Sequence, residues 1–229
     1  QNIKSTLGAD LVGEWSFDTT DFIDPTHIRD TSGNNNNGTI YGAMPESNGK
    51  VREALRFDGL DDYVDILNSP SLESLTRNLT IAFWAYPTNI AKGRQNPLGK
   101  SYGGEFDLTM EPTGQLNYYH GTAGGNSWPY MNCGARNIFT NNQWVFVVIT
   151  RDINNQSIQC YKNGELQSFY CGVWQNPSSS SRRLGIGFEY AGYFQGIIDE
   201  VKLYDNSLSA KQIQQLYAES LSRHIADKK

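Results

Sequence analysis

The chain has 229 residues and a formal net charge of −5, with 24 Asp and Glu against 19 Lys and Arg. Its basic residues form no block, which argues against a nucleic-acid partner, because phosphate binding needs clustered Lys and Arg. Hydrophobic residues make up 38% and aromatics 12%, enough to build a core, and no apolar run reaches the roughly 18 residues that a membrane span needs.

Taken in chain order, LVGEWSF (11–17) reads as the first strand, and the polar stretch DTSGNNNNGT (30–39) separates it from GTIYGA. ALRFDGLDDYVDI (54–66) reads as two short strands around the turn pair Asp58-Gly59. LTIAFWAYP (79–87) is apolar on both faces and belongs in the middle of a sheet. EFDLTM (105–110) and QLNYYH (115–120) flank Pro112-Thr113-Gly114 as a hairpin. Residues 121–137 are the longest stretch without periodicity and read as a loop, which inside a compact domain is more often functional than average. QWVFVVITRD (143–152) is the most apolar strand, and SIQCYKNGELQSF (157–169) is a hairpin around Asn163-Gly164. RLGIGFE and FQGIIDEVKLYD complete about a dozen strands, the pattern of a sandwich or barrel. Only the end reads as helix. Ser207 or Ser209 can cap it, and Ile213, Leu216, Tyr217 and Leu221 fall on one face.

Three cysteines cannot all pair, and no CxxC occurs. Counting outward from Asn163-Gly164 sets Cys160 opposite Gln167, out of register for a direct bridge to Cys171. A Cys133–Cys171 bond, which would tie down the long loop, is favoured, with the other pairings left open. Sequons stand at Asn37, Asn78 and Asn155. The chain begins at Gln rather than Met, which points to a trimmed or mature form.

The ordered set LVGEWSFD, DTSGNNNNGTI, LRFDGLDDYVDI, LTIAFWAYP, NNQWVFVVITRD, YKNGE, GIIDEVKLYD and LSAKQIQQLY resembles the laminin-G-like jelly rolls of the concanavalin A-like lectin/glucanase superfamily. The resemblance covers about residues 10 to 220. It implies an all-β fold of two antiparallel sheets in a jelly-roll sandwich with a short C-terminal helix. Residues 1–9 would be an N-terminal extension and 221–229 a C-terminal tail. It also implies ligand on the concave face or its rim loops, and a structural calcium ion.

Calcium takes six to eight oxygen ligands. Within the Asn-rich loop, Asp30 offers a carboxylate, Asn34 and Asn36 amide oxygens, Gly33 a main-chain carbonyl and Thr39 a carbonyl and hydroxyl. The resemblance adds Asp199 of GIIDEV, because the first and last strands are neighbours in similar domains. The expected calcium site is therefore Asp30, Gly33, Asn34, Asn36, Thr39 and Asp199. Two other readings stand beside it: a solvated turn opened by an Asx-turn at Asp30, and a glycan on Asn37.

Similar glucanases place two Glu and an Asp along one strand. This chain has Glu105, Asp107 and Glu111 in EFDLTME, but its two Glu lie six residues apart, roughly 20 Å along a strand. Retaining chemistry needs carboxyls about 5 to 5.5 Å apart. With no GxSxG or HExxH, and His27, His120 and His224 in unrelated contexts, the chain reads as non-catalytic.

Sugar recognition uses aromatic platforms with amides and carboxylates around them. Candidates cluster in mid-chain: Tyr118, Tyr119 and His120, then Trp128 and Tyr130, then Trp174, Phe188, Tyr190 and Tyr193, with Asn117, Asn126, Asn132, Arg136 and Glu189 as polar partners. Tyr118 and Tyr119 cannot both face a ligand, since strand side chains alternate. Ordinary packing is the competing reading for each aromatic. The expected ligand set is Tyr119, Asn126, Trp128, Tyr130, Arg136, Glu189 and Tyr190, while Trp15, Trp84 and Trp144 belong to the core. Together these expectations describe a non-catalytic, lectin-like carbohydrate-binding domain of a secreted or cell-surface protein, stabilised by calcium. Its partner would be a glycan or polysaccharide, or a cell-surface protein, with no direct membrane insertion. The alternatives are an adhesion or structural module without glycan binding and, less favoured, a glycoside hydrolase.

Overall fold

The computed structural model describes residues 10–226, in which two antiparallel sheets pack face to face. The eight-stranded sheet runs, edge to edge, Glu165–Gln167, Ser157–Lys162, Val145–Asp152, Leu79–Pro87, Gln195–Tyr204, Ala54–Asp58 and Met44–Glu46. Its eighth strand, Leu11–Trp15, also pairs with Gln195–Tyr204, so the first and last strands are neighbours. The ten-stranded sheet runs Tyr170–Cys171, Tyr130–Ala135, Leu116–Gly121, Asp107–Met110, Gln95–Gly99, Leu184–Ile186, Tyr63–Ile66, Gly38–Tyr41, His27–Ile28 and Phe22–Asp24.

Strand alternation decides what enters the core between the sheets. Along the hairpin of the ten-stranded sheet, Leu108, Met110, Leu116 and Tyr118 point inward, and Asp107, Thr109, Asn117 and Tyr119 alternate with them. The central strands Leu79–Pro87 and Val145–Asp152 are apolar on both faces because both are covered. Ile81, Phe83, Val147 and Ile149 face the other sheet, and Ala82, Trp84, Phe146 and Val148 lie in a second cluster with Ile213 and Leu216 of the last helix. That helix spans Ala210–Ala226. Ser209 caps it: its hydroxyl accepts from the Gln212 amide, and Gln212 Oε1 accepts from the Ser209 amide at 2.9 Å. The helix runs past residue 220, and Arg223 in the expected tail pairs with Glu200 at 2.6 Å. Residues 1–9, read as an extension, lie outside the described residues, as do 227–229.

Two strand readings change. Ala54–Asp58 and Tyr63–Ile66 flank Asp58-Gly59 as expected but belong to different sheets, so the turn is a crossover between layers. Tyr130–Ala135, inside the stretch read as a loop, is a strand paired with Leu116–Gly121. Met131, Cys133 and Ala135 face the core in strict alternation, yet Gly and Cys in place of β-branched residues hide the pattern. The hairpin at Asn163-Gly164 follows its turn. Both residues have positive φ, 53° and 81°, as a tight two-residue turn requires, and Cys160 sits opposite Gln167. Cys133 and Cys171 are cross-strand partners joined by a disulfide, and Cys160 is a buried free thiol. Closing a loop of 38 residues is worth roughly 3–4 kcal/mol in the chain-entropy view.

Candidate functional site

The outer face of the ten-stranded sheet carries a polar and aromatic row. Asp107 stands opposite Tyr119, and Tyr119 opposite Asn132; in the next row Thr109 stands opposite Asn117. Here the sheet forms a cavity of about 190 Å³. Asp107 and Thr109, each 2% exposed, make its floor. Tyr119 and Tyr130 rise from neighbouring strands, while Tyr102, Tyr190 and Arg94 enter from loops. The tyrosine rings meet edge-on: Tyr102 lies 5.1 Å from Tyr130 and 4.8 Å from Tyr190, and Tyr119 lies 5.8 Å from Tyr130. Such edge-to-face contacts are favourable ring geometries.

Hydrogen bonds hold these walls in place. Arg94 donates from Nε to Glu111 Oε1 at 2.7 Å and from Nη2 to the Tyr119 hydroxyl at 2.6 Å. Glu111 Oε1 also accepts from Thr109 Oγ1 and Asn117 Nδ2. Asp107 Oδ1 accepts from Asn96 Nδ2 at 2.9 Å. Burial, reinforced by the nearby Glu189 carboxylate, pushes the Asp107 carboxyl well above the usual carboxylate range, against the opposing pull of Asn96 and Arg94. Gly99, its strand neighbour, leaves room for this carboxyl, since a Cβ at that position would stand 1.8 Å from Asp107 Oδ1 and force it to shift. Behind the wall, Glu189 accepts from Arg182 at 2.8 Å and from Asn126 at 3.1 Å, and Asn126 in turn accepts from the Tyr102 amide.

Of the residues expected to contact ligand, Tyr119, Tyr130 and Tyr190 line this cavity. Asn126 and Glu189 support it from behind. Trp128, 80% exposed, lies on the adjoining 122–129 segment and does not line it. Arg136 lies elsewhere, in a hollow with Gln167 and Tyr170. Sequence reasoning missed Arg94, Tyr102, Asp107 and Thr109 as lining residues. For Asp107 and Thr109 a signal existed, because counting back from Pro112-Thr113-Gly114 sets Asp107 beside Tyr119. Arg94 and Tyr102 carried none, since only the fold brings those loops to the sheet. Tyr118 faces the other way, fully buried, where its hydroxyl accepts from Arg151 Nη1 at 2.9 Å.

The three carboxylates weighed for catalysis have separate roles. Glu105 is fully buried, bonded to Lys100 Nζ at 2.5 Å and to the amide and hydroxyl of Ser180 at 2.7 Å. Glu111 is tied to Arg94, and only Asp107 lines the cavity. His120 is buried against Trp174; burial, with Arg151 nearby, pushes its imidazole down to about 3, so it is neutral at pH 7. Cys133 is held in its disulfide.

The six residues expected to share one calcium ion do not converge. Asp30 spends its oxygens on the amides of Glu14, Ser32 and Asn36 and on the Ser32 hydroxyl, all at 2.8–2.9 Å. The Asp30–Ser32 contact is the Asx-turn of the alternative reading. Asn36 bonds Val12, Ser69 and Ser71, Asn34 donates to the Leu11 carbonyl, Gly33 is exposed, and Thr39 lies in the ten-stranded sheet. Asp199 belongs to the other sheet. Register explains the gap: the loop bonds Leu11, Val12 and Glu14 of the first strand, Glu14 faces Lys202, and Asp199 lies three residues away along the last strand. There the charges near Asp199 are those of Glu200 and, more weakly, Asp18, which itself pairs with Arg52 at 3.6 Å. Asp199 Oδ2 accepts from the Val51 amide at 2.8 Å, and its buried Oδ1 has no hydrogen-bond partner among the described residues. Burial, with Glu200 and then Asp18 nearby, pushes the Asp199 carboxyl well up. Burial pushes Asp18 to about 6, against the Glu53 amide. Phe17, Arg52 and Glu200 turn the backbone around this point with φ of 62°, 55° and 51°. Among the described residues, one further acidic group, Asp58, Asp61 and Asp62, is a turn whose carboxylates accept its own amides.

Solved structures similar in fold include the binding domain of Paraclostridial Mosquitocidal Protein 1, at TM-score 0.72 and 15% identity over 93% of this chain and 53% of that one. Another is the receptor binding domain of botulinum neurotoxin C/D mosaic serotype, at 0.73 and 13% over 93% and 52%. The chain thus spans about half the length of those two. A third is domain 4 of AbnA, an extracellular GH43 arabinanase from Geobacillus stearothermophilus solved in complex with arabinotriose, at 0.66 and 19% over 91% of this chain and 98% of that one. At these identities the likeness is one of fold. No individual curated protein matches the sequence significantly. A laminin-G-type family model does match, over residues 57–214, and the chain belongs to the concanavalin A-like lectin/glucanases superfamily that this model describes.

Proposed function

We propose that the chain is a non-catalytic carbohydrate-binding domain of a secreted or cell-surface protein, and that its sugar sits in the tyrosine-walled cavity over Asp107. The observation that carries this reading is the convergence of four tyrosines with Asp107, Thr109 and Arg94 on an outer sheet face. Aromatic walls with a few fixed polar groups suit a ring that is apolar on its faces and hydroxylated at its edge. The similar arabinanase domain, solved with a bound sugar, supports the same reading. Trp128, exposed beside the cavity, would meet further units of a longer glycan. Titrating the protein against a glycan panel tests this. Binding that is lost in Tyr119→Ala and Tyr130→Ala supports it, and the absence of any glycan ligand overturns it in favour of an interaction module.

A structural calcium ion, which the family resemblance implies, fits Asp199 and Asp18 better than the Asn-rich loop. The fit rests on the buried Asp199 Oδ1, which has no hydrogen-bond partner among the described residues, and on two carboxyls that burial raises above their ordinary range, Asp18 with Arg52 beside it. Calcium would supply charge compensation there. A carboxyl with a raised folded pKa favours folding while protonated. Without calcium, the contribution of Asp18 to stability therefore falls as pH rises from about 4 through about 6, where it ionises. Melting curves in chelator should show that fall. Added calcium should restore the melting temperature at pH 7 in the native chain and not in Asp199→Asn. Equal melting with and without calcium at pH 7 overturns the assignment.

A further inference from the structure

Resting on the carbohydrate-binding reading, we propose that the cavity selects a sugar unit bearing a free amine, its ammonium held among the tyrosine rings and against the Asp107 carboxylate.

Charge around the cavity points this way. Five charged side chains stand in or against it: Asp107, Glu111, Glu189, Arg94 and Arg182. Arg94 is matched by Glu111 at 2.7 Å and Arg182 by Glu189 at 2.8 Å. Asp107 has no salt-bridge partner among the described residues, although it lies on the cavity floor and is 2% exposed. Arg94, the one cation lining the cavity, is already spent on Glu111 and the Tyr119 hydroxyl. The pairs cancel, and the Asp107 carboxyl alone is left without a matching cation.

Wall geometry points the same way. A neutral sugar ring stacks well on one flat aromatic face. Here Tyr102 stands at 80° to Tyr130 and at 62° to Tyr190, and Tyr119 stands at 64° to Tyr130. Rings set near right angles wrap a volume rather than pave a surface. Ring faces attract cations within about 6 Å, and such aromatic cages recognise ammonium groups. An ammonium also resolves the cost of a buried carboxyl, because its charge favours the ionised form of Asp107. A sugar carboxylate would meet the Asp107 carboxyl instead, with Arg94 already matched by Glu111. Gly99 completes the arrangement, since its missing side chain is what gives the carboxyl its place.

The test uses probes that do not depend on the glycan's identity. Tetramethylammonium chloride and glucosamine hydrochloride are titrated into the full chain by NMR or tyrosine fluorescence, with potassium chloride as the control. Glycan-panel members carrying a free amine are compared with their N-acetylated forms. We expect saturable binding of both cations, and a preference of at least about tenfold for the free amine over its N-acetylated form. Asp107→Asn, near-isosteric, should abolish the cation binding and that preference while its melting temperature shows the fold intact. If neither cation binds, or if Asp107→Asn leaves the preference unchanged, the amine inference is overturned. Neutral glycans that still bind and still need Tyr119 would leave the carbohydrate reading standing.

Discussion

The outer faces of the two sheets have opposite fates. On the eight-stranded sheet, Trp84, Phe146 and Val148 point outward and are covered by the last helix, so they behave as core. On the ten-stranded sheet, Tyr119, Tyr130 and Asp107 also point outward, but at this place no helix of the described residues covers them. The side chains follow the cover. A face that will be buried against a helix has no partners for polar groups and must be apolar, whereas an open face can keep a carboxylate, an arginine and four phenols in a fixed arrangement. Aromatic content alone therefore says nothing about binding; what lies over the ring decides.

This contrast can be broken in three places. The largest effect is expected beneath the open face, at Glu105→Ala, which strands the fully buried Lys100 ammonium. It should cost about 3–5 kcal/mol in denaturant unfolding. A catalytic role would predict lost turnover with stability preserved. Next, Ile213→Ala on the covering helix removes a fully buried side chain from the second cluster and should cost about 2–5 kcal/mol. A negligible change would mean that the helix is a loose attachment and that both outer faces are open. The smallest stability effect is expected at Tyr190→Ala. This ring is 64% exposed, so the melting temperature should hardly move, within about 0.5 kcal/mol, while glycan affinity falls about tenfold or more. If Tyr190→Ala destabilises as much as Ile213→Ala, the tyrosine cluster is packing and not a site.

Features with local causes were legible in the sequence. The Asn163-Gly164 turn permits one register, so Cys160 opposite Gln167 follows by counting, and the Ser209–Gln212 cap and the apolar face of the last helix are set by neighbours three and four residues away. Alternation separates Tyr118 from Tyr119. What the tertiary structure alone decided is which distant groups share a space. Arg94, Tyr102 and Tyr190 reach Asp107 from loops that no local rule aims. Asp199 stands away from Asp30 because the register of the first strand against the last, Glu14 opposite Lys202 and Trp15 opposite Val201, sets its level. Turn and cap chemistry acts over a few residues, and electrostatic partnership acts over a few ångströms of space. The Asn-rich loop carries the right oxygens for calcium, but its carboxylate, Asp30, is already taken by the loop's own Ser32 and Asn36 amides and by the Glu14 amide of the first strand.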